Sequence, residues 1–266
     1  MPHPLGLITL LTDFGDRDYF VGSMKGVILT INPQTTIVDL SHHIVPHAVE
    51  EAAYVLKCCY ASFPEGTIHV VVVDPGVGSL RRPLLVKTDR YFFLAPDNGI
   101  LSYILHEENQ VEAREITNRQ FRLESPGTTF DGRDLFAPAA AWLTKSQPVS
   151  AFGPVVHDVR TFPISKPRWE SGALLGEIVY IDRFGNLISN ITAAQLKELE
   201  AVTKRPTPLI RLAGHLIGGL VGSYSEGSPE EPCALINSNG YVEVFLKQAD
   251  VAQQLKIGRG ERLTFS

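Results

Sequence analysis

The 266-residue sequence has few cysteines and no long apolar run. Its three cysteines, two of them adjacent at Cys58 and Cys59, are too few for a disulfide framework or a thiolate metal cage. Its longest apolar runs, such as residues 68–73, fall well short of the roughly 20 residues needed to cross a bilayer. The composition therefore predicts a protein stabilised by a hydrophobic core and not by cross-links or lipid.

Basic clusters are also missing from the chain. Lysine and arginine number 24 against 29 aspartates and glutamates, and the longest basic run is Arg81-Arg82. Such a balance argues against a surface that tracks phosphates, so nucleic acid is not expected as a partner. Because the N-terminus has no basic stretch ahead of an apolar segment, a cytoplasmic location is expected.

The first 160 residues alternate between strand-like and helix-like segments. Apolar spacings of four, three and four from Phe20 to Ile31 predict a helix over 19–31, and Asn32-Pro33 ends it. The predicted strands are 7–11, 36–40, 67–73, 83–88 and 91–95, and the predicted helices are 19–31, 49–60, a short one within 97–105, and 136–143. This alternation is typical of an α/β domain with a central, largely parallel sheet flanked by helices. We assign it residues 1–163.

The composition changes between residues 154 and 172, where prolines and charged residues are mixed with Trp169. We place a linker at about 164–172. Short strand-like segments separated by Gly and Asn turns follow it. These segments are 174–181, 187–191, 208–212, 216–219, 233–237 and 242–246. They predict a smaller, antiparallel, β-barrel-like C-terminal domain over 173–266.

Two polar clusters follow predicted strands of the first domain, where open α/β sheets bind ligands. Residues 12–18 hold three carboxylates. In one interpretation, Asp13 accepts hydrogen bonds from both hydroxyls of a ribose. In the other, the segment is a solvated loop in which Asp18 caps the next helix. Residues 73–82 turn tightly at two glycines and a proline, so that Arg81 can fold back onto Asp74. This pair is either catalytic or a structural fastening of the loop.

Two further clusters complete the polar set. In residues 128–138, Asp134 is a candidate helix cap and Arg133 a candidate partner for a carboxylate. In residues 181–186, joined by 237–240, a Phe-Gly-Asn turn offers a ring face and an amide to a purine, although it also suits an ordinary strand connection. None of the four clusters is specific alone.

Metal and serine chemistry have little support in the sequence. His42, His43 and His47 lie close together, yet no Glu-x-x-His or His-x-x-x-His pattern with a third ligand accompanies them. The Gly-x-Ser-x-Gly turn of serine hydrolases is absent as well. We therefore expect a site that works without metal.

Taken in order, the motifs resemble those of the S-adenosylmethionine hydroxide adenosyltransferase family, whose fold is similar to that of the fluorinase and the chlorinase. The resemblance covers about residues 7–264. It rests on Leu11-Thr12-Asp13-Phe14-Gly15, Val73-Asp74-Pro75-Gly76-Val77-Gly78, Ala95-Pro96-Asp97-Asn98-Gly99, Gly132-Arg133-Asp134-Leu135-Phe136-Ala137-Pro138 and Phe184-Gly185-Asn186. It implies an α/β N-terminal domain, a β-barrel-like C-terminal domain, and a homotrimer whose active sites lie between neighbouring subunits.

The implied reaction is attack of water or hydroxide on the 5′ carbon of S-adenosylmethionine, giving adenosine and L-methionine, with no further cofactor. The resemblance implies a catalytic group of Asp74, Arg81 and Asp131. For the nucleoside, it implies that Asp13 holds the ribose hydroxyls and that Phe184 and Asn186 face the adenine.

For the methionine, the resemblance implies that Asp182 and Ser238 bind its amino and carboxylate ends and that His47 lies beside it. Thr129 and Phe130 would lie near the reacting carbon, and Asp18 and Asn239 would complete the substrate-binding set.

One departure from the family pattern concerns Asp131. The hydrolytic relatives carry His in a Thr-Phe-His-Gly-Arg-Asp run, whereas this sequence carries Asp. An ionised Asp accepts a proton but does not donate a hydrogen bond as imidazole does. We hypothesise that Asp131 replaces the His as acceptor at a reduced rate.

Two alternatives remain open. The missing His favours a protein that binds S-adenosylmethionine or adenosine without reaction. The other alternative is a halide-using enzyme. Against it, Asp74 stands where the fluorinase has an aromatic residue, and its carboxylate would repel a halide. The turn at Asp89-Arg90 is also short, whereas the halogenases carry an insertion there.

Overall fold

A computed structural model describes residues 3–204 and 208–266 of the chain. Residues 1, 2 and 205–207, which fall within the two predicted domains, lie outside the described residues. The chain divides into two compact units, Met1–Pro163 and Ile164–Ser266. The segment predicted as a linker, 164–172, contains a short strand, Arg168–Glu170, that pairs with the next strand of the second unit.

The first unit contains a six-stranded sheet in the order β2-β1-β3-β5-β4-β6. The strands are β1 Leu7–Thr12, β2 Thr36–Ser41, β3 Ile68–Val72, β4 Pro83–Lys87, β5 Phe92–Pro96 and β6 Glu112–Glu115. The first four in this order are parallel, whereas β4 runs antiparallel to both β5 and β6. The predicted α/β class is confirmed, with a mixed sheet because β4 and β5 pair as an antiparallel hairpin. Strand β6 was not predicted.

Helices cover both faces of this sheet. They are α1 Phe20–Ile31, α2 Val49–Cys59, α3 Ser102–Glu107 and α4 Ala137–Thr144. Ile8 and Leu10 of β1 pack in one apolar cluster with α1 and α4, whereas Leu11 packs in a second cluster with α2 and α3. This division follows from the two-residue period of a strand. The helix expected within 97–105 begins later, at Ser102, because Asn98 and Gly99 form a turn before it.

The second unit is an antiparallel sheet that curls toward closure. Its strands are β7 Arg168–Glu170, β8 Ala173–Ile181, β9 Leu187–Thr192, β10 Ile210–Leu212, β11 His215–Ile217, β12 Cys233–Ile236, β13 Tyr241–Phe245 and β14 Arg262–Phe265, in the path β11-β10-β14-β8-β9-β13-β12 with β7 beside β8. The segment after β11 returns to β12, since Gly218 N donates to Pro232 O and Ala234 N to Gly219 O. These bonds give the predicted barrel-like form. Helices α5 Ala193–Thr203 and α6 Val251–Leu255 were not predicted.

Within the described residues, no helix combines the length and the apolar character that spanning a membrane requires.

A buried histidine lies at the centre of the first sheet. His69 on β3 is fully shielded, its Nδ1 atom lies 2.8 Å from Thr9 Oγ1 on β1, and its ring stacks on Phe93 at 5.1 Å between centroids. Burial lowers the pKa of His69 from 6.5 to about 3. The folded protein therefore holds this side chain neutral at pH values where the unfolded chain protonates it.

We expect this histidine to weaken the protein in acid. Between pH 6.5 and 3 the unfolded chain binds one proton more at this position, so stability falls as the pH falls, by about 2 kcal/mol at pH 5 relative to pH 8. His69→Asn keeps an amide for Thr9 but does not titrate. Urea unfolding at pH 8 and pH 5 gives the free energy of unfolding at each pH. From pH 8 to pH 5 it should fall by about 2 kcal/mol more in the native protein than in His69→Asn. Equal losses in both would contradict the assignment.

Candidate active site

Three charged side chains meet at one edge of the first sheet. Arg81 Nε donates to Asp74 Oδ2 over 2.7 Å, and Arg81 Nη2, which also contacts Asp74 Oδ2, donates to Asp131 Oδ2 over 2.5 Å. The exposed fractions of the side chains are 7% for Arg81, 5% for Asp74 and 13% for Asp131. The structure thus brings together all three residues of the predicted catalytic group.

The loop between β3 and β4 carries two of these residues. Asp74 follows β3, and its Oδ1 accepts from Gly76 N over 3.2 Å, which turns the chain back. Gly78 has a φ of 78°, and a Cβ there would lie 3.2 Å from Thr128 O, so this glycine permits both the left-handed turn and the close approach of the 128–131 segment. Arg81 then precedes β4 and reaches Asp131.

Asp131 lies at the start of a π-helical turn, Gly132–Phe136, that leads into α4. In this turn the N–H of Ala137 donates to Gly132 O, five residues back. Such turns are frequent at functional sites because they shift one residue out of the regular helical ladder. The sequence predicted a helix over 136–143 but not this turn.

The charge state of Arg81 is fixed by its partners. Burial opposes the charge, but hydrogen bonds and attraction from Asp74 and Asp131 outweigh burial and raise the pKa of the guanidinium above its usual value. Arg81 is therefore a permanent cation that holds two carboxylates side by side.

A second arginine, Arg122, approaches the same cluster. Its Nη2 atom lies 3.9 Å from Asp131 Oδ1, which is outside hydrogen-bond distance, and 40% of its side chain is exposed. Sequence reasoning did not include Arg122, since only the fold brings it to Asp131.

A cavity of about 290 Å³ adjoins the cluster. Its lining includes Asp74 and Asp131 of the cluster and four other predicted residues, namely Asp13, His47, Thr129 and Phe130. Phe14, Phe20 and Phe130 form its aromatic wall, with ring centroids 5.2–5.9 Å apart. A ligand in this cavity meets carboxylates on one side and aromatic rings on the other.

Asp13 is held by the backbone of a neighbouring loop. His47 N donates to Asp13 Oδ2 over 2.9 Å, and His47 has a φ of 70°. His47 is exposed and contributes to the cavity wall. Both residues therefore lie where a ligand would be bound.

Both helix-cap candidates from the sequence are wrong in the structure. The cap residue of α1 is Tyr19, so the alternative in which Asp18 caps that helix is wrong. Asp18 is exposed and does not belong to the described cavity lining. Asp134 was a candidate cap, but it lies inside the π-helical turn and binds Arg133 through both oxygens, at 2.6 and 2.9 Å.

The second unit has a cavity of its own, of about 760 Å³. Three predicted residues, Asp182, Phe184 and Asn186, line it. The ring of Phe184 is 74% exposed, which suits a surface for stacking on a flat ligand. Residues that sequence reasoning missed complete the wall, and they are Tyr224, Ser225 and 245–250.

The turn over residues 182–186 is built around a carboxylate. Asp182 Oδ1 accepts from the N–H groups of Phe184 and Asn186, and Oδ2 accepts from Asn186 Nδ2 over 3.0 Å. Gly185 has a φ of 81°, and a Cβ there would lie 2.1 Å from Asp250 Oδ1. The positive φ and the contact with Asp250 favour glycine at position 185, and the bonds to Asp182 account for Asn186.

Ser238 and Asn239 lie in the turn between β12 and β13, and the described lining of the cavity does not include them. Asn237 shapes this turn, since its Oδ1 accepts from Asn239 N and its Nδ2 donates to Glu243 Oε2. The buried Glu243 also accepts from the hydroxyl of Tyr224 over 2.5 Å. Glu243, which was not predicted, thereby links the turn to the cavity wall.

The three clustered histidines do not converge. His42 contacts Thr12 and Asp39, His43 Nε2 lies 3.6 Å from Asp16, and His47 lines the first cavity. In the part of the chain that the structure describes, no three His, Cys, Asp or Glu side chains are arranged as a metal site.

The fold and the site define an α/β unit with a buried carboxylate–guanidinium cluster beside a ligand cavity, followed by a barrel-like β unit with a second cavity. The family models for the N-terminal and C-terminal domains of S-adenosylmethionine hydroxide adenosyltransferases match residues 8–153 and 176–264. The chain therefore belongs to this family, as the motifs predicted.

Individual relatives agree with this assignment. The chain is 30% identical to the (R)-S-adenosyl-L-methionine hydrolase of Salinispora tropica, with 98% of this chain and 97% of the relative covered. It is 28% identical to a fluorinase of an Actinoplanes species, with 97% and 96% covered. The crystal structure of an uncharacterized conserved protein from Thermotoga maritima superposes with a TM-score of 0.88 at 31% identity, covering 97% of this chain and 99% of that one.

Proposed function

We propose that the protein hydrolyses S-adenosyl-L-methionine to adenosine and L-methionine by attack of water on the 5′ carbon of the ribose. The observation that carries the proposal is that Asp74 and Asp131, joined by Arg81, line a cavity that Asp13 also lines. Full-length relatives named as hydrolases of this substrate support it.

The energetics favour positioning over basicity. Making free hydroxide at pH 7 from water of pKa 15.7 costs about 12 kcal/mol, which no carboxylate supplies. The substrate is a sulfonium cation with a neutral leaving group, so attack disperses charge and prior deprotonation is not required. Holding water in line with the carbon–sulfur bond contributes on the order of 7–11 kcal/mol, and a proton acceptor a further factor of about 10²–10⁴.

Each member of the cluster has a separate task. As Asp131 takes a proton from the attacking water, the oxygen of that water gains hydroxide-like negative charge, which Arg81 stabilises, and Asp74 holds Arg81 in place. Both oxygens of Asp74 accept hydrogen bonds, one from Gly76 N and the other from Arg81. By contrast, Oδ1 of Asp131 lies 3.9 Å from Arg122 Nη2, too far for a hydrogen bond. Asp131 Oδ1 is therefore the oxygen that accepts the proton of the attacking water.

The first cavity orients the nucleoside. Asp13 accepts hydrogen bonds from the ribose hydroxyls, Thr129 and Phe130 lie beside the reacting carbon, and His47 lies beside the methionine. The exposed Asp18, outside the described lining of this cavity, completes the substrate-binding set by family resemblance alone. In the second unit, Phe184 stacks on the adenine. The Nδ2 atom of Asn186 is engaged by Asp182, which leaves the amide oxygen of Asn186 to accept from the amino group of adenine.

Several further features follow the family resemblance. Asp182, Ser238 and Asn239 bind the amino and carboxylate ends of methionine. The protein forms a homotrimer in which the first unit of one subunit and the second unit of the next bind one substrate molecule. It acts in the cytoplasm without a metal or other cofactor. Sedimentation tests the trimer, and assay in the presence of a chelator tests the metal-free mechanism.

A product assay separates this function from its alternatives. The purified protein with S-adenosylmethionine should release adenosine and L-methionine, and adding chloride should change nothing because the carboxylate of Asp74 repels a halide. Formation of 5′-chloroadenosine would instead identify a halide-using enzyme. Binding with the substrate recovered intact would identify a protein that only binds, the alternative that Asp131 favours by replacing the family histidine.

We expect Arg81→Ala to lower turnover far more than it weakens substrate binding, because the guanidinium acts on charge that appears only in the transition state. Loss of one such electrostatic donor typically costs about 10²–10³ in kcat. The measurement is kcat and KM for S-adenosylmethionine hydrolysis. Arg81→Lys, which keeps a cation between the carboxylates, controls for collapse of the cluster. Equal effects on kcat and KM would refute the assignment.

We expect Asp131→His to hydrolyse S-adenosylmethionine faster than the native protein, because imidazole both accepts a proton and donates a hydrogen bond. Asp131→Asn keeps the size of the side chain without a basic oxygen, and it should be slower than the native protein by roughly 10²–10⁴-fold. Single-turnover rates measure both variants. Slower hydrolysis by Asp131→His would overturn the hypothesis that Asp131 is the weaker substitute.

A further inference from the structure

A histidine lies directly behind the loop that carries Asp13. His42 Nδ1 lies 2.9 Å from Thr12 Oγ1, and His42 O accepts from Gly15 N over 2.7 Å. Only 10% of the His42 side chain is exposed. His42 therefore contacts the loop on both sides of Asp13, once through its ring and once through its backbone.

The other ring nitrogen of His42 faces a charged pair. Nε2 lies 3.0 Å from Asp39 Oδ1, although within the described chain its N–H makes no aligned hydrogen bond. Asp39 Oδ2 accepts from Lys25 Nζ over 2.6 Å. Burial opposes ionisation of Asp39, but Lys25 and His42 outweigh it and lower the pKa of Asp39. An ionised carboxylate beside Nε2 favours the tautomer with its proton on that nitrogen.

Counting donors and acceptors fixes the direction of the remaining bonds. Phe14 N donates to Thr12 Oγ1 over 3.2 Å, so the hydroxyl of Thr12 already accepts one bond. With the proton of His42 on Nε2, the Nδ1 lone pair accepts the Thr12 hydroxyl proton. The contacts then run from Asp39 through the ring of His42 and the hydroxyl of Thr12 to the backbone N–H of Phe14, next to Asp13.

We propose that His42 is a positioning residue that aims the carboxylate of Asp13 at the hydroxyls of a ribose. His42 orients Thr12 and the backbone of Phe14 and Gly15, while His47 N donates to Asp13 Oδ2. This inference rests on the proposed function, in which Asp13 binds a nucleoside.

Two substitutions separate the two ring nitrogens. The side-chain amide of His42→Asn takes the place of Nδ1 and its oxygen can accept from Thr12. The amide of His42→Gln takes the place of Nε2, keeps the contact with Asp39 and leaves the Thr12 hydroxyl without its acceptor. His43→Gln is the matched control. The side chain of His43 is exposed, and its ion-pair contact is with Asp16, which is exposed as well.

The readout is the ratio of affinities for adenosine and 2′-deoxyadenosine, measured by calorimetry on the full chain. 2′-Deoxyadenosine lacks the 2′ hydroxyl and therefore loses one hydrogen bond to the carboxylate of Asp13. The native protein should for this reason prefer adenosine by roughly tenfold or more. Asp13→Asn and His42→Gln should both reduce this ratio toward one. His42→Asn and His43→Gln should keep most of it, and kcat at saturating S-adenosylmethionine should fall less than kcat/KM in His42→Gln.

The outcomes distinguish this inference from the function on which it rests. A native preference for adenosine that is lost in Asp13→Asn but kept in a folded His42→Gln overturns the role of His42 and leaves the function intact. No preference for adenosine in the native protein overturns the roles of both His42 and Asp13 in ribose binding, whereas the product assay decides separately whether the protein hydrolyses S-adenosylmethionine. Nitrogen-15 NMR of the native imidazole gives an independent answer, because a proton found on Nδ1 instead of Nε2 would also refute the proposed bonding.

Discussion

The cluster of Asp74, Arg81 and Asp131 is the constraint on which the first unit's site depends. Buried carboxylates are tolerated only when they are paired, and one guanidinium pairs with both of them here. The three residues come from the end of β3, the approach to β4 and the start of the π-helical turn, so the ion pairs fix three chain segments against each other. The same bonds that stabilise these loops therefore form one rigid wall of the cavity.

The elements that sequence reasoning predicted are those whose apolar spacing is strong. Strand β1 is an almost continuously buried apolar run, and helix α1 buries Val21, Met24 and Ile28 at helical spacing. Strand β6 was missed because it is a polar edge strand, Glu-Ala-Arg-Glu, stabilised by pairing with β4. In helix α5 Leu199 is the one buried residue, so its apolar face is weak, but the capping box of Thr192 and Gln195 is a signal in the sequence that indicates its start.

The candidate site divides in the same way. The pairing of Arg81 with Asp74 was predictable because both lie in one short loop with the glycines needed to fold it. Asp131 joined them only through the family resemblance, since 50 residues separate it from Arg81. Arg122, His42 and Glu243 have no local motif, and their roles depend on contacts between segments distant in the chain. Local chemistry thus identifies the first residues of a site, and tertiary packing selects those that orient them.

Replacing the family histidine by Asp131 adds a negative charge to a site that must accept a proton while it holds a cationic substrate. Arg122 faces that charge from 3.9 Å, yet its side chain is 40% exposed, so solvent screens the attraction. Asp131 consequently keeps one oxygen bound to Arg81 and the other available to water. Because the added charge also attracts a sulfonium ion, the substitution exchanges hydrogen-bond donation for electrostatic attraction to the substrate. That exchange is consistent with a reaction in which positioning contributes more than basicity.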